Sequence, residues 1–224
     1  STRGFYDLKT GITLKNTPYD TYPKKIFEEI SQKSEIVIMI HGLRNNKSGA
    51  LAKYVIAEKR LKSLNYKYNV VGYSYDSNTA GVQYKSTALS ALKVGVLIAK
   101  KNGRNLSKFI KDLKSKNPLI KIRLMGHSLG TQVILSAVQS LAKNPKNKGI
   151  IEMALCCYHS HVKGIMTSNK SLMGHAYMDG LNKAMIRCAK KSGVFTPGKD
   201  ILGSIIPVST MSLCVRFDEY VSMF

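Results

Sequence analysis

The pentapeptide Gly126-His127-Ser128-Leu129-Gly130 constrains the fold of this chain more than any other stretch. Ile120, Ile122, Leu124 and Met125 form a short apolar run before it, the pattern of a buried strand. Leu129, Val133, Leu135, Ala137, Val138 and Leu141 recur after it at the spacing of a buried helix. A strand that turns into a helix within one residue must make a very sharp elbow, with Ser128 at its apex. Such a turn drives the serine backbone into a sparsely populated φ/ψ region, at a cost of roughly 1–3 kcal/mol. Side chains two positions to either side would collide, which accounts for Gly126 and Gly130. The hydroxyl of Ser128 is thereby lifted clear of the sheet, and the following helix N-terminus points at whatever reacts there.

A second stretch fits the same plan. Glu35 to Ile40 is a continuous apolar run apart from its first residue, as expected of a strand covered on both faces of a parallel sheet. It ends in His41-Gly42-Leu43, where Gly42 permits close approach of the loop to a reacting carbonyl. The backbone N–H groups of Leu43 and Leu129 are the expected pair of oxyanion donors, each worth roughly 3–4 kcal/mol. His41 is expected to be a structural residue of this loop rather than a base, since it precedes the sheet centre and its neighbours supply the backbone chemistry.

Length suits one α/β domain spanning residues 1–224, with a proper core and a short hairpin at Gly4 to Lys15. No apolar run is long enough to cross a bilayer, and the first residues lack the apolar segment of a signal peptide. Cys156, Cys157, Cys188 and Cys214 show neither C-x-x-C nor disulfide-like spacing, so a reducing cytoplasm is the expected compartment. The net charge of +22 favours non-specific contact with polyanions, nucleic acid or anionic lipid. The lysines are scattered, however, and no nucleic-acid motif accompanies them; a solvated basic surface is the simpler expectation.

The remaining elements follow in order. Residues Lys24 to Gln32 suit one or two helical turns, and Ser48 to Leu64 an amphipathic helix with Leu51, Val55, Ile56 and Leu61 inward. Asn69 to Tyr75 reads as the next strand, with Asp76 in the loop beyond it, either bordering the site or capping. Thr87 to Lys101 and Leu106 to Lys116 read as two helices broken at Asn102-Gly103. Ile150 to Tyr158 is a further apolar strand, followed by His159, His161 and His175. His159-Ser160-His161 lacks a nearby third ligand, so no metal is expected and no cofactor is needed. In Val194 to Leu202 a Pro-Gly turn precedes Asp200, which follows Ser128 in the order expected of a triad acid; an ordinary capping aspartate is the alternative.

Four phrases resemble the α/β-hydrolase superfamily in its lipase/esterase-like branch. They are Ser1-Thr2-Arg3-Gly4-Phe5-Tyr6-Asp7, Ile40-His41-Gly42-Leu43-Arg44, Val71-Gly72-Tyr73-Ser74-Tyr75-Asp76 and the Ser128 pentapeptide. In detail the chain is similar to archaeal intracellular α/β-hydrolase-like proteins of unassigned substrate, from about residue 1 to 158. The resemblance implies a three-layer α/β/α fold with a mostly parallel, doubly wound sheet, and serine hydrolysis of a small ester-like substrate. It also implies a triad of Ser128, Asp200 and a late histidine. No histidine follows His175, and in Cys214-Val215-Arg216-Phe217 a valine stands where the family's base is expected. His175, His159 or His161 could serve out of order, because geometry and not chain position defines a triad. Otherwise the fold persists as a non-catalytic binding module. No long lid segment separates the strands, so an interfacial lipase is not expected.

Overall fold

A computed structural model describes residues 1–63, 65–144, 147, 153–157 and 207–208. The elements in chain order are α1 (Ile26–Ser31), β1 (Glu35–Ile40), α2 (Lys47–Ser63), β2 (Asn69–Tyr73), α3 (Ala88–Lys116), β3 (Lys121–His127), α4 (Gly130–Ala142), β4 (Met153–Cys157) and β5 (Pro207–Val208). The strands form one parallel sheet in the order β2-β1-β3-β4-β5. From β1 the chain steps outward to β2, then returns past β1 to β3. The direction therefore reverses between β1 and β3, and a ligand site of an open α/β sheet forms outside the carboxyl ends of strands at such a point.

Alternation along β1 divides the core. Ile36, Ile38 and Ile40 join Ile122 and Leu124 against α3 and α4, which contribute Ile98, Leu106, Ile110, Val133, Ile134 and Val138. Val37, Met39 and Met125 face the other way, against Leu61, Tyr54 and Ala57 of α2. Helices thus cover both faces, giving the three-layer α/β/α arrangement with its doubly wound sheet.

Three expectations change. The helix over Ser48 to Leu64 forms, but its inward residues are Ala50, Tyr54, Ala57 and Leu61, spaced for one helical face. Leu51, Val55 and Ile56 are exposed. Asn102-Gly103 does not break a helix: α3 runs unbroken for 29 residues. Asn102 is fully buried, its amide donates to Ile98 O at 2.9 Å, and Tyr73 and Thr2 donate to its Oδ1. Gly103 lies where α3 meets α4, so close to Ser136 and the Ala137 amide that a Cβ would not fit. The hairpin reduces to one antiparallel bridge, Tyr6 to Thr13, with Phe5 buried while Leu8, Ile12 and Leu14 stay exposed. β5 lies beyond every strand that the periodicity marked.

Candidate active site

Ser128 sits between β3 and α4 with φ +51°, in the left-handed region that a non-glycine residue rarely enters. A Cβ on Gly130 would run into the Ile40 carbonyl oxygen and lie 2.8 Å from that of His41. One on Gly126 would lie 2.7 Å from Ile134 Cδ1 and 3.0 Å from the Gly130 carbonyl. The chain thus turns sharply at Ser128, between two glycines whose places leave no room for a side chain.

The His41–Asn46 loop folds against this elbow. A Cβ on Gly42 would lie 2.8 Å from Ser128 Cβ, 2.9 Å from the His127 carbonyl oxygen and 3.0 Å from His127 Nδ1. Leu43 and Leu129 converge on α3, where a Cβ on Gly95 would be 2.8 Å from Leu43 Cδ1 and 3.2 Å from Leu129 Cδ2. The Gly42 carbonyl accepts from His41 Nδ1 and from Asn45 Nδ2, both at 3.0 Å. In a trans peptide the N–H points opposite to the C=O, so the Leu43 N–H is turned away from those partners. The Ser128 carbonyl accepts from the Thr131 N–H at 3.0 Å and its hydroxyl at 2.7 Å. By the same geometry the Leu129 N–H points back out of the start of α4. Neither N–H has an acceptor among the described residues.

His41 is buried and held in one tautomer. Its Nε2 receives the Tyr75 N–H at 3.2 Å and an Arg3 guanidinium N–H at 3.3 Å, so the proton resides on Nδ1. Its ring stacks on Tyr75 with centroids 4.6 Å apart and planes 9° from parallel. Burial pushes its pKa down to about 3, with Arg3 and His127 adding to the effect against the Gly42 hydrogen bond. It is a neutral structural residue of the loop.

Asp76 serves the N-terminal segment. Its carboxylate accepts the N–H groups of Gly4, Phe5 and Tyr6 at 3.1–3.2 Å and so fastens the N-terminal segment. Arg3, Asn45, Ser77 and Tyr75 stand around the loop without having been singled out from the sequence. Arg3 and Tyr75 fall within phrases that carry the family resemblance, while Asn45 and Ser77 do not. Asp200, His175, His159, His161 and Val215 lie outside the described residues. Among the described residues no group of three or more His, Cys, Asp or Glu could hold a metal ion. None of the described helices is long and apolar enough to cross a membrane.

A family model described as an α/β hydrolase of unknown function (DUF900) matches residues 21–161, which include β1, the His41–Asn46 loop and the elbow. No curated protein matches the chain.

Proposed function

This chain belongs to that α/β-hydrolase family of unknown function, and from this we propose that it is a serine hydrolase of carboxylic esters. The observation that carries the reading is the strained Ser128 packed against Gly42, with the N–H groups of Leu43 and Leu129 turned outward on either side. Ser128 Oγ attacks the ester carbonyl and its proton passes to a histidine base. The carbonyl oxygen takes up negative charge, which the two N–H groups stabilise without reorganising. The tetrahedral intermediate collapses, the base protonates the departing alcohol, and water then hydrolyses the acyl-serine by the same steps. His175 is assigned as base and Asp200 as the carboxylate that orients it, with His159 and His161 as the other candidates. His41 is excluded from this role, since both its ring nitrogens are engaged within the fold.

One observation favours a second reading. In Cys214-Val215-Arg216-Phe217 a valine stands where the resemblance places the triad histidine, and a serine hydroxyl without a base is a poor nucleophile at neutral pH. The elbow would then line a binding pocket of a catalytically silent member. A fluorophosphonate probe separates the two. Rapid labelling that disappears in Ser128→Ala supports the hydrolase, and loss of labelling in one of His175→Ala, His159→Ala or His161→Ala identifies the base. A folded protein that stays unlabelled supports the silent member.

A further inference from the structure

The oxyanion loop is held partly by its own residues and partly from outside. Its backbone groups are tied one by one: Gly42 O to His41 and Asn45, Leu43 O to Asn45 Nδ2 at 2.8 Å, and Arg44 N to Ser77 O at 3.0 Å. The Asn45 carbonyl accepts from Ser77 Oγ at 3.3 Å and the Asn46 carbonyl from the Ala50 N–H at 3.0 Å, and both also accept from one cation. Arg3 Nη2 donates to Asn45 O at 3.0 Å and to Asn46 O at 2.9 Å, as well as to His41 Nε2. Its Nε donates to Ser74 Oγ at 2.6 Å, just past β2. A planar guanidinium fork can meet acceptors from two strand ends at once, whereas a flexible ammonium presents no fixed geometry.

The segment that carries Arg3 is itself anchored on both sides. Thr2 donates to Asn102 of α3, and its N–H donates to Ser74 O at 2.8 Å. On the other side the Asp76 carboxylate holds three successive N–H groups, from Gly4 to Tyr6. Phe5 and Tyr6 then enter the core. Arg3 is thus delivered to the loop from a fixed strap 38 residues before its first residue, His41.

We infer that Arg3 is a positioning residue: its guanidinium sets the His41–Asn46 loop so that the Leu43 N–H faces the carbonyl attacked by Ser128. Its side-chain hydrogen bonds go to Ser74, His41, Asn45 and Asn46, and it acts on the loop through the last three. The catalytic meaning rests on the hydrolase reading above, while the hold on the loop does not.

The test uses the whole chain with Arg3→Met and Arg3→Lys, and reads two quantities. The first is amide hydrogen exchange at Arg44, whose N–H is bonded to Ser77, against amides of β1 and α4. The second is the rate of fluorophosphonate labelling, separated into maximal rate and half-saturating probe concentration. Arg44 exchange should rise by about 10-fold or more in Arg3→Met while β1 and α4 are unchanged. The maximal labelling rate should fall by about 10- to 100-fold with the half-saturating concentration little altered, as for a small misplacement of a reacting group. Arg3→Lys keeps the charge and guards against misfolding. It should restore thermal stability more fully than the labelling rate, since it lacks the fork. Equal labelling and exchange in wild type and Arg3→Lys would overturn the proposal. So would a rise in exchange shared equally by loop, β1 and α4, which would make Arg3 a general stabiliser. If the wild type is not labelled at all, the hydrolase reading fails, and the exchange at Arg44 alone decides whether Arg3 holds the loop.

Discussion

Replacing Gly42 by alanine tests the closeness of loop and elbow directly. The added Cβ would sit 2.8 Å from Ser128 Cβ, about 0.7 Å inside the ordinary carbon contact of roughly 3.5 Å. It would also press on the His127 carbonyl oxygen at 2.9 Å. These two neighbours are the Cβ of a strained turn and a backbone atom, so neither can swing aside as a side-chain tip can. The loop must retreat instead, and overpacking of this kind costs about 1–3 kcal/mol. Retreat also draws the Leu43 N–H away, and loss of one oxyanion donor lowers the rate about 100- to 1,000-fold. Urea unfolding measures the first effect and fluorophosphonate labelling the second. Gly4→Ala serves as the contrast, because φ is +78° there but nothing lies within 4 Å of the added Cβ. It should show only the left-handed backbone cost of about 1–2 kcal/mol. If Gly42→Ala is as stable as wild type within about 0.5 kcal/mol and labels at the wild-type rate, the loop does not pack this closely on the elbow.

Four further outcomes follow from the same contacts. Ser128→Gly should be about 1 kcal/mol more stable than Ser128→Ala, since only glycine is at ease at φ +51°; equal urea midpoints would argue against the strain. His41 is neutral in the fold with a pKa near 3, so below its unfolded value of about 6.5 the unfolded chain binds one more proton. Stability should therefore fall by about 1.4 kcal/mol per pH unit from this group as pH drops from about 6.5 toward 3, and a ring that titrates above pH 6 by NMR would contradict it. At the opposite end of β1, burial raises the Glu35 pKa, but hydrogen bonds donated by Arg123 Nε at 2.5 Å, Arg123 Nη2 at 3.2 Å and the Tyr66 hydroxyl at 2.7 Å outweigh it and hold it below its usual value. That contribution is present above about pH 4.3 and is lost as pH falls below it, so Glu35→Gln should flatten the acid limb of the stability curve. Asp76→Asn exchanges an acceptor of three backbone N–H groups for a group with one oxygen, and should cost about 1–3 kcal/mol by urea unfolding and speed proteolysis within residues 1–15; unchanged cleavage would mean the strap is held elsewhere.

The elbow was legible in the chain because its causes are local. The apolar run before Ser128, the helical spacing after it and the glycines two positions to either side act within about one turn of the backbone. The same holds for β1, whose five apolar residues Ile36 to Ile40 are all buried as a continuous apolar run requires. What periodicity could not decide was anything settled by a distant partner. Asn102-Gly103 carries the residue types of a break, yet the helix continues because Thr2 and Tyr73 satisfy the asparagine and α4 packs on the glycine. On α2, Leu51, Val55 and Ile56 have the better apolar character, but Tyr54 and Ala57 lie on the side that meets the sheet. Arg3, His41 and Asp76 illustrate the limit most clearly. Each is a polar residue whose partners lie 34 to 72 positions away, apart from the local bond of His41 to Gly42. A buried polar group must find a partner, but its own sequence neighbourhood does not say which. The sequence by itself determined the strand, the turn and the helix that present Ser128; the tertiary structure decided how the loop opposite it is held.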